Sequence, residues 1–294
     1  MKFEKISFSV IGGDQRQIKL CDYLISHGYR VNIFGFSNVE VNPLVKKSET
    51  LEEAIKYSNI IIGPIPCSQN DRDLFAKYYG GKVKVEDIFK VMNKHQIFMA
   101  GRLTDKIQKN LTEYGITYID LLEREDMAVR NAIPTAEGAI QYAMENSDIT
   151  LHGSKCMVLG FGRCGKVLAH MLKGIGADLS VEARSLQDLA YIESYGYKPV
   201  PLGELTSYID QYDFIFNTIP SLILDSKRLI KMKEDCLIIE LASKPGGVDL
   251  ETANKLGIKV IDGQSLPGKV AARTAAKIIF DTILNAYSDL GVIL

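Results

Sequence analysis

Short continuous runs of apolar residues alternate along the chain with stretches in which apolar positions recur every three or four residues. Residues 7–12 read as a buried strand that ends on Gly12. Ile18, Cys21, Leu24 and Ile25 then line one face of a helix, and Gly28 precedes a second strand at 31–34. The plan returns at 155–160, where the strand ends on Gly160. Its helix carries Val167, Leu168, Met171, Leu172 and Ile175 on one face, followed by Gly176 and a strand at 179–181. Gly12 to Gly28 and Gly160 to Gly176 are the same 16-residue step, so both halves open with one strand–helix–strand unit.

Further apolar strands are expected at 59–62, 96–99 and 116–119 in the first half and at 213–217, 236–241 and 258–261 in the second. Strands that are apolar throughout and separated by helices form parallel sheets covered on both faces. The pattern predicts an α/β chain of two doubly wound, Rossmann-like parallel-sheet domains with an interdomain cleft. Ile133-Pro134-Thr135-Ala136-Glu137 reads as a helix start, with proline in the first turn and an acid close behind. That helix, with Ala136, Ile140, Ala143 and Met144 on one side, links a substrate domain at 1–133 to a cofactor domain at 134–274. A last helix near 271–289 carries Ala271, Thr274, Ala275, Ile278, Ile279, Thr282 and Ile283 on one face. The pattern alone fits it to either sheet, and packing of 275–294 on the first domain is one arrangement.

A chain of 294 residues buries enough surface for two such domains without staples. Its 46% hydrophobic content excludes a disordered chain. With 35 Lys and Arg against 36 Asp and Glu, the net charge of −1 argues against a nucleic-acid binder that relies on a basic surface. No apolar run approaches the ~18 residues of a membrane span; residues 60–66 are about the longest. Met1-Lys2-Phe3-Glu4-Lys5 leads into a strand and a Gly-Gly-Asp turn rather than a signal peptide. Cys21, Cys67, Cys156, Cys164 and Cys236 are scattered and odd in number, and His27, His95, His152 and His170 show no ligand spacing. A cytoplasmic protein with neither disulfides nor a metal is expected.

Gly160-Phe161-Gly162-Arg163-Cys164-Gly165 is a GxGxxG pattern placed where it carries meaning, after a strand and at the start of a helix. In such a turn Gly160 allows the tight bend, Gly162 lets the backbone approach a pyrophosphate, and Gly165 lets helix and sheet pack closely. The diphosphate then meets N–H groups at the positive helix end. Arg163 is a further phosphate ligand or a solvated side chain. The second strand ends in Val181-Glu182-Ala183-Arg184-Ser185. Arg184 and Ser185 suit the 2′-phosphate of NADP, a guanidinium fork beside a hydroxyl. A strand ending two residues earlier would make Glu182 the ribose partner of NAD instead. NADP is favoured, with NAD as the alternative. Loops at Asn217-Thr218-Ile219-Pro220-Ser221, Ala242-Ser243-Lys244-Pro245-Gly246-Gly247 and Gln264-Ser265-Leu266-Pro267-Gly268-Lys269 follow later strands. They are placed to border the cofactor, so Phe161, Cys164, Thr218, Ile219, Pro220, Ala242 and Ser243 join its candidate ligands.

Gly12-Gly13-Asp14-Gln15-Arg16-Gln17 aligns with that turn but breaks it, with Asp14 for the second glycine and Gln17 for the third. An acid sits where an anion would lie, so this unit should hold no dinucleotide. Arg16, on the first helical turn, is a candidate ligand for a small carboxylate or else a solvated surface residue. Residues 123–131 alternate in charge ahead of the linking helix. Arg130 there is a candidate carboxylate clamp, and Glu125 and Asp126 are candidate proton acceptors. Lys269 and Arg273 are further cationic candidates, Lys269 among the catalytic residues and Arg273 for substrate binding. No histidine occurs in 171–294, where a 2-hydroxy-acid dehydrogenase keeps its acid/base.

Residues 10–17, the block from Glu123-Arg124-Glu125-Asp126 to 133–138, and 217–221, 241–247 and 266–268 together resemble the A-subunit family of dipicolinate synthases almost end to end. One departure is Lys244, where a relative has Arg. The wider architecture is similar to that of 2-hydroxy-acid and alanine dehydrogenases. The resemblance implies NADP-dependent oxidation of dihydrodipicolinate, a lysine-pathway intermediate, or of its 4-hydroxy-tetrahydro precursor, to dipicolinate. It places this in the mother-cell cytoplasm of sporulating bacteria, with the flavoprotein-like B subunit of dipicolinate synthase for a partner; a homo-oligomer is also expected. A dicarboxylate substrate agrees with the cationic candidates, and a ring that ends aromatic asks little of a base. Two rivals stay open: an amino-acid or 2-hydroxy-acid dehydrogenase on the same scaffold, and a non-catalytic NADP-binding scaffold subunit.

Overall fold

A computed structural model describes residues 6–291. The start at 1–5 and the end of the expected 275–294 segment, residues 292–294, lie outside the described residues. The chain divides into two compact units, 1–130 with 272–294 and 131–271.

The first unit opens with β1 (Ser7–Ile11), α1 (Gln15–Ser26), β2 (Arg30–Phe34), β3 (Lys46–Lys47), α2 (Leu51–Ile55) and β4 (Ile60–Ile62). It continues with α3 (Val85–Val91), β5 (Ile97–Ala100), α4 (Asp105–Glu113), β6 (Thr117–Asp120) and α5 (Glu125–Glu145), which runs into the second unit. The strands pair in parallel in the order β3-β2-β1-β4-β5-β6.

The second unit holds β7 (Lys155–Leu159), α6 (Arg163–Ile175), β8 (Asp178–Ala183), α7 (Leu186–Ser194), β9 (Lys198–Pro201), α8 (Leu205–Tyr208) and β10 (Phe214–Asn217). Then come α9 (Ser226–Leu229), β11 (Leu237–Glu240), α10 (Leu250–Lys255), β12 (Lys259–Asp262) and α11 (Leu266–Val270). Its parallel order, β12-β11-β10-β7-β8-β9, repeats the first sheet strand for strand. In each sheet the strand order reverses between two neighbours, β1 and β4 or β7 and β10, and ligands of such sheets bind beyond the carboxyl ends at that crevice.

The apolar runs are continuous because both faces of each strand are covered. In β7, Cys156 and Val158 join one core while Met157 and Leu159 join the other. In β4, Ile60 and Ile62 oppose Ile61 in the same way. Each such burial contributes roughly 1.5–3 kcal/mol relative to exposure. The last helix, α12 (Ala272–Asp289), belongs to the first unit, where Ala276, Ile279 and Ile283 meet the core of β1 and β4. Its Phe280 stacks on Tyr23 and tilts against His27, with ring centroids 6.0 and 4.5 Å apart.

The linking helix starts at Glu125 rather than at Ile133, so Pro134 lies inside α5 and not in its first turn. Glu125 and Asp126 place negative charge at the helix start, where the dipole favours it. Proline withholds the N–H that the Arg130 carbonyl would accept, at a cost of about 3 kcal/mol that packing on both sides must offset. Thr135 donates its hydroxyl to the Asn131 carbonyl at 2.7 Å, satisfying a neighbouring acceptor. Among the described residues no helix is long and apolar enough to cross a membrane.

Candidate functional site

The second unit's glycine turn begins where β7 ends. Gly160 takes φ 91°, a left-handed bend that a side chain opposes. Its N–H reaches both the carbonyl of Glu182 at 3.2 Å and its Oε2 at 3.1 Å. A Cβ on Gly165 would lie 2.0 Å from the Gly160 carbonyl oxygen, so α6 comes this close to β7 only without a side chain there. Gly162 has nothing within 4 Å of where its Cβ would stand, and no side chain caps the helix. An anion has open access to that helix end.

Around this turn lies a cavity of about 640 Å3 lined by Gly160, Phe161, Gly162, Glu182, Ala183, Arg184, Ser185, Asp188, Thr218, Ile219 and Pro220. Of the expected cofactor residues, Arg163, Cys164, Gly165, Ala242 and Ser243 are not in this lining. Gly165 acts beneath the turn instead, and burial pushes the Cys164 thiol up to about 11, which keeps it protonated and unreactive. β8 runs on to Ala183, so Glu182 occupies the strand's carboxyl end, fully buried. Burial holds its carboxyl above the ordinary range, against the opposing pull of the Gly160 N–H and of Arg184 and Arg228. Its Oε1 has no hydrogen-bond partner. A buried acceptor left open beside a cavity is a receptor for hydroxyl donors such as those of a ribose, and the uncapped helix end suits a pyrophosphate.

Asp188 is a polar lining residue that the sequence pattern did not single out. Ser185 caps α7, accepting from the Asp188 N–H at 3.0 Å and donating to Asp188 Oδ2 at 2.7 Å. The signal was in the sequence, since Ser185-Leu186-Gln187-Asp188 has the spacing of a capping pair. The pairing commits the Ser185 proton and leaves Arg184 as the exposed cation of the lining. Glu240 is a second residue the pattern passed over. Buried at the end of β11, it accepts from Asn217 Nδ2 at 2.9 Å and from the N–H groups of Ala242 and Gly247 at 2.9 and 3.1 Å. One carboxylate thereby fixes the loops after β10 and β11.

In the first unit the equivalent turn is closed by its own residues. Asp14 caps α1 and accepts from Arg16 three times, from its backbone N–H at 2.9 Å, Nε at 3.0 Å and Nη2 at 2.8 Å. The buried Arg16 guanidinium also donates to the Ile65 carbonyl. Gln17 returns the cap by accepting from the Asp14 N–H at 3.0 Å. The chain at 75–77 crosses the turn, with Gly13 N–H on the Phe75 carbonyl at 2.7 Å and Lys77 N–H on the Gly13 carbonyl at 2.9 Å.

The remaining candidates lie elsewhere. Asp126 pairs with Arg124 at 3.0 Å and accepts from Asn285 at 2.9 Å, while Arg130 sits 3.6 Å from Asp281. Both therefore face α12. Glu125 and Asp126 line an open hollow with Arg124, Asn285, Ser288 and Asp289. Lys269 is exposed, its Nζ 6.0 Å from the Tyr142 ring centroid, and Arg273 is exposed on the first turn of α12.

Comparison with known proteins agrees with this geometry. The N-terminal domain of the dipicolinate synthase A subunit matches residues 7–122, and the NAD-binding domain of D-isomer specific 2-hydroxyacid dehydrogenases matches 118–244. The dipicolinate synthase A subunit of Bacillus subtilis (strain 168) is 31% identical over 288 residues, covering 97% of each chain. The crystal structure of the dipicolinate synthase A subunit from Bacillus halodurans superposes with a TM-score of 0.88 at 30% identity, covering 96% of this chain and 97% of that one. The A chain from Bacillus subtilis gives 0.88 and 30% as well, over 98% of both. The second unit is a nicotinamide-dinucleotide-binding domain of the dehydrogenase type.

Proposed function

This chain belongs to the dipicolinate synthase A-subunit family, and from that premise we propose that it is the NADP-dependent dehydrogenase that oxidises dihydrodipicolinate, or its 4-hydroxy-tetrahydro precursor, to dipicolinate. The observation that carries this reading is the pairing, in one cavity, of an open helix end beside Gly162 with the unpartnered Oε1 of Glu182. When bound, the oxidised nicotinamide supplies the hydride acceptor. The chain's own part is to hold the dinucleotide at α6 and to position a dicarboxylate. Proton loss that ends in an aromatic ring is strongly downhill, which fits a chain with no histidine in 171–294.

Arg184 supports the choice of NADP, as an exposed guanidinium in the lining suited to a 2′-phosphate. One observation favours NAD as a second reading: Glu182 and Asp188 put two acids in the same lining. Glu125, Asp126 and Lys269 are the proposed proton-transfer groups, and Arg16, Arg130 and Arg273 the proposed carboxylate ligands. Asp126 and Arg130 would act only on releasing Asn285 and Asp281, and Arg16 only on releasing Asp14. The A-subunit designation of the relatives supports a partner subunit, which we take to be a flavoprotein-like B subunit; we further propose a homo-oligomeric enzyme in the mother-cell cytoplasm.

The deciding experiment titrates pure protein with NADP+ and NAD+, then follows reduced-nicotinamide absorbance on adding freshly made dihydrodipicolinate precursor, with and without a flavin partner. Reduction of NADP+ is expected. Cofactor binding without reduction under both conditions would leave a scaffold role, and turnover of pyruvate or hydroxypyruvate instead would make it a hydroxy-acid or amino-acid dehydrogenase.

A further inference from the structure

Among the described residues three non-glycine positions have positive φ, and two of them, Asp71 (φ 59°) and Arg102 (φ 58°), share one loop cluster in the first unit. That cluster lies at the carboxyl end of the sheet, where open α/β sheets take their ligands. Arg102 follows β5, and Asp71 lies in the long connection that follows β4. The loops are stitched together: Gly101 N–H donates to the Pro64 carbonyl at 3.2 Å and Cys67 N–H to the Gly101 carbonyl at 2.6 Å. Thr104 donates to Asp71 Oδ1 at 3.0 Å.

A left-handed backbone sets an arginine's Cβ against the neighbouring carbonyl, so it persists only where its surroundings hold it. Here the holder is Asp120, at the end of β6. Its carboxylate accepts from the N–H groups of Arg102 at 3.0 Å, Leu103 at 2.5 Å and Leu122 at 2.9 Å. All this fixes the backbone from which a side chain with no partner among the described residues projects. Arg102 is exposed, and its guanidinium makes no ion pair or hydrogen bond among the described residues.

Arg16 is the contrast. Its guanidinium is buried and committed to Asp14 and to the Ile65 carbonyl. Ile65 is also the residue that a Cβ on Gly101 would meet, at 2.8 Å. Two arginines thus flank the loop after β4, one satisfied by the protein and one open.

We propose that Arg102 is the cation that grips a carboxylate of the dicarboxylate substrate on the first unit, with Asp120 as the positioning residue that holds it in place. The inference rests on the dicarboxylate reading above and goes beyond it, because it assigns a ligand that motif and composition did not point to. A planar guanidinium offers a carboxylate two parallel hydrogen bonds, which a lysine cannot.

The test compares wild type with R102A, R102K, R102G and D120N. It measures KM and kcat with dihydrodipicolinate, Kd for pyridine-2,6-dicarboxylate by calorimetry, Kd for NADP+, and Tm. R102A should raise KM and the pyridine-dicarboxylate Kd by roughly 10- to 100-fold, the loss of a charge-assisted pair, with NADP+ affinity unchanged. R102K should recover only part. R102G should bind as poorly as R102A yet melt no lower than wild type, since glycine adopts this backbone without strain. D120N should raise KM with a smaller change in kcat. If wild type turns over and binds the diacid while R102A does both within about two-fold of it, the Arg102 assignment is overturned and the functional reading stands. If wild type neither turns over nor binds the diacid, both fall together.

Discussion

The glycine turns after β1 and β7 share a backbone plan and part company at the helix end each one presents. At α6 the end is uncapped, the space beside Gly162 is empty and Glu182 keeps one oxygen open. At α1 Asp14 fills the same role from within, Gln17 closes the cap and residues 75–77 cross over the top. A Rossmann turn recruits a dinucleotide through the polar groups it leaves unsatisfied. Satisfy them internally, and the same turn becomes scaffold. A side-chain cap is worth about 0.5–2 kcal/mol, so the ligand-free cofactor turn gives up stability that the other turn keeps.

Four substitutions put that contrast to the test. The largest effect is expected of Gly165→Val, because the Gly160 carbonyl 2.0 Å from the new Cβ is backbone and cannot swing aside. A loss beyond about 3 kcal/mol should appear in calorimetric melts, and a Tm within a few degrees of wild type would end the close-packing argument. Asp14→Ala comes next. It leaves the buried Arg16 without its carboxylate, which should cost about 3 kcal/mol in urea unfolding. NADP+ affinity should stay unchanged, and a weakened cofactor would mean the two turns are not independent.

Gly162→Asp transplants the first turn's device into the second. The site has room for it, so Tm should hold or rise slightly, while fluorescence titration should show NADP+ binding weakened by roughly 10- to 100-fold as the new carboxylate takes the anion's place. Unchanged affinity would move the pyrophosphate elsewhere. Glu182→Gln should have the smallest effect, shifting preference toward NADP+ by up to about ten-fold. It should also flatten a pH trend. Because burial raises the Glu182 carboxyl in the folded state, the native protein keeps a proton that the unfolded chain releases. Wild-type stability from this group therefore falls as pH rises from the ordinary carboxyl range of about 4.3 toward the raised folded value. Melts across that window should show the decline in wild type and less of it in the Gln variant.

The central strands, the repeated 16-residue step and the glycine motif were legible because each is local: a run of apolar residues, a spacing, a glycine where a bend falls. The edge strands β3 and β9 were not, since Lys46–Lys47 and Lys198–Pro201 carry no apolar run and owe their conformation to the neighbour they pair with. Pro134 misled for a similar reason, because a local rule against interior proline gave way to packing along α5. The acid at Asp14 was readable as an obstacle to a dinucleotide, but not that it would engage Arg16, which takes the folded turn to bring about. The strain at Arg102 lies further still from the sequence, since its cause is a carboxylate eighteen residues later.

Asp14 also has a kinetic and competitive meaning. A carboxylate tethered to the helix it caps competes with every dissolved anion at an effective concentration set by two residues of chain, in the millimolar range or above even for flexible links. Metabolite phosphates and free carboxylates would have to exceed that to displace it. The α1 terminus, as distinct from the rest of the first unit, is thereby screened from the anionic traffic of the cell and from a cofactor that the second unit has released.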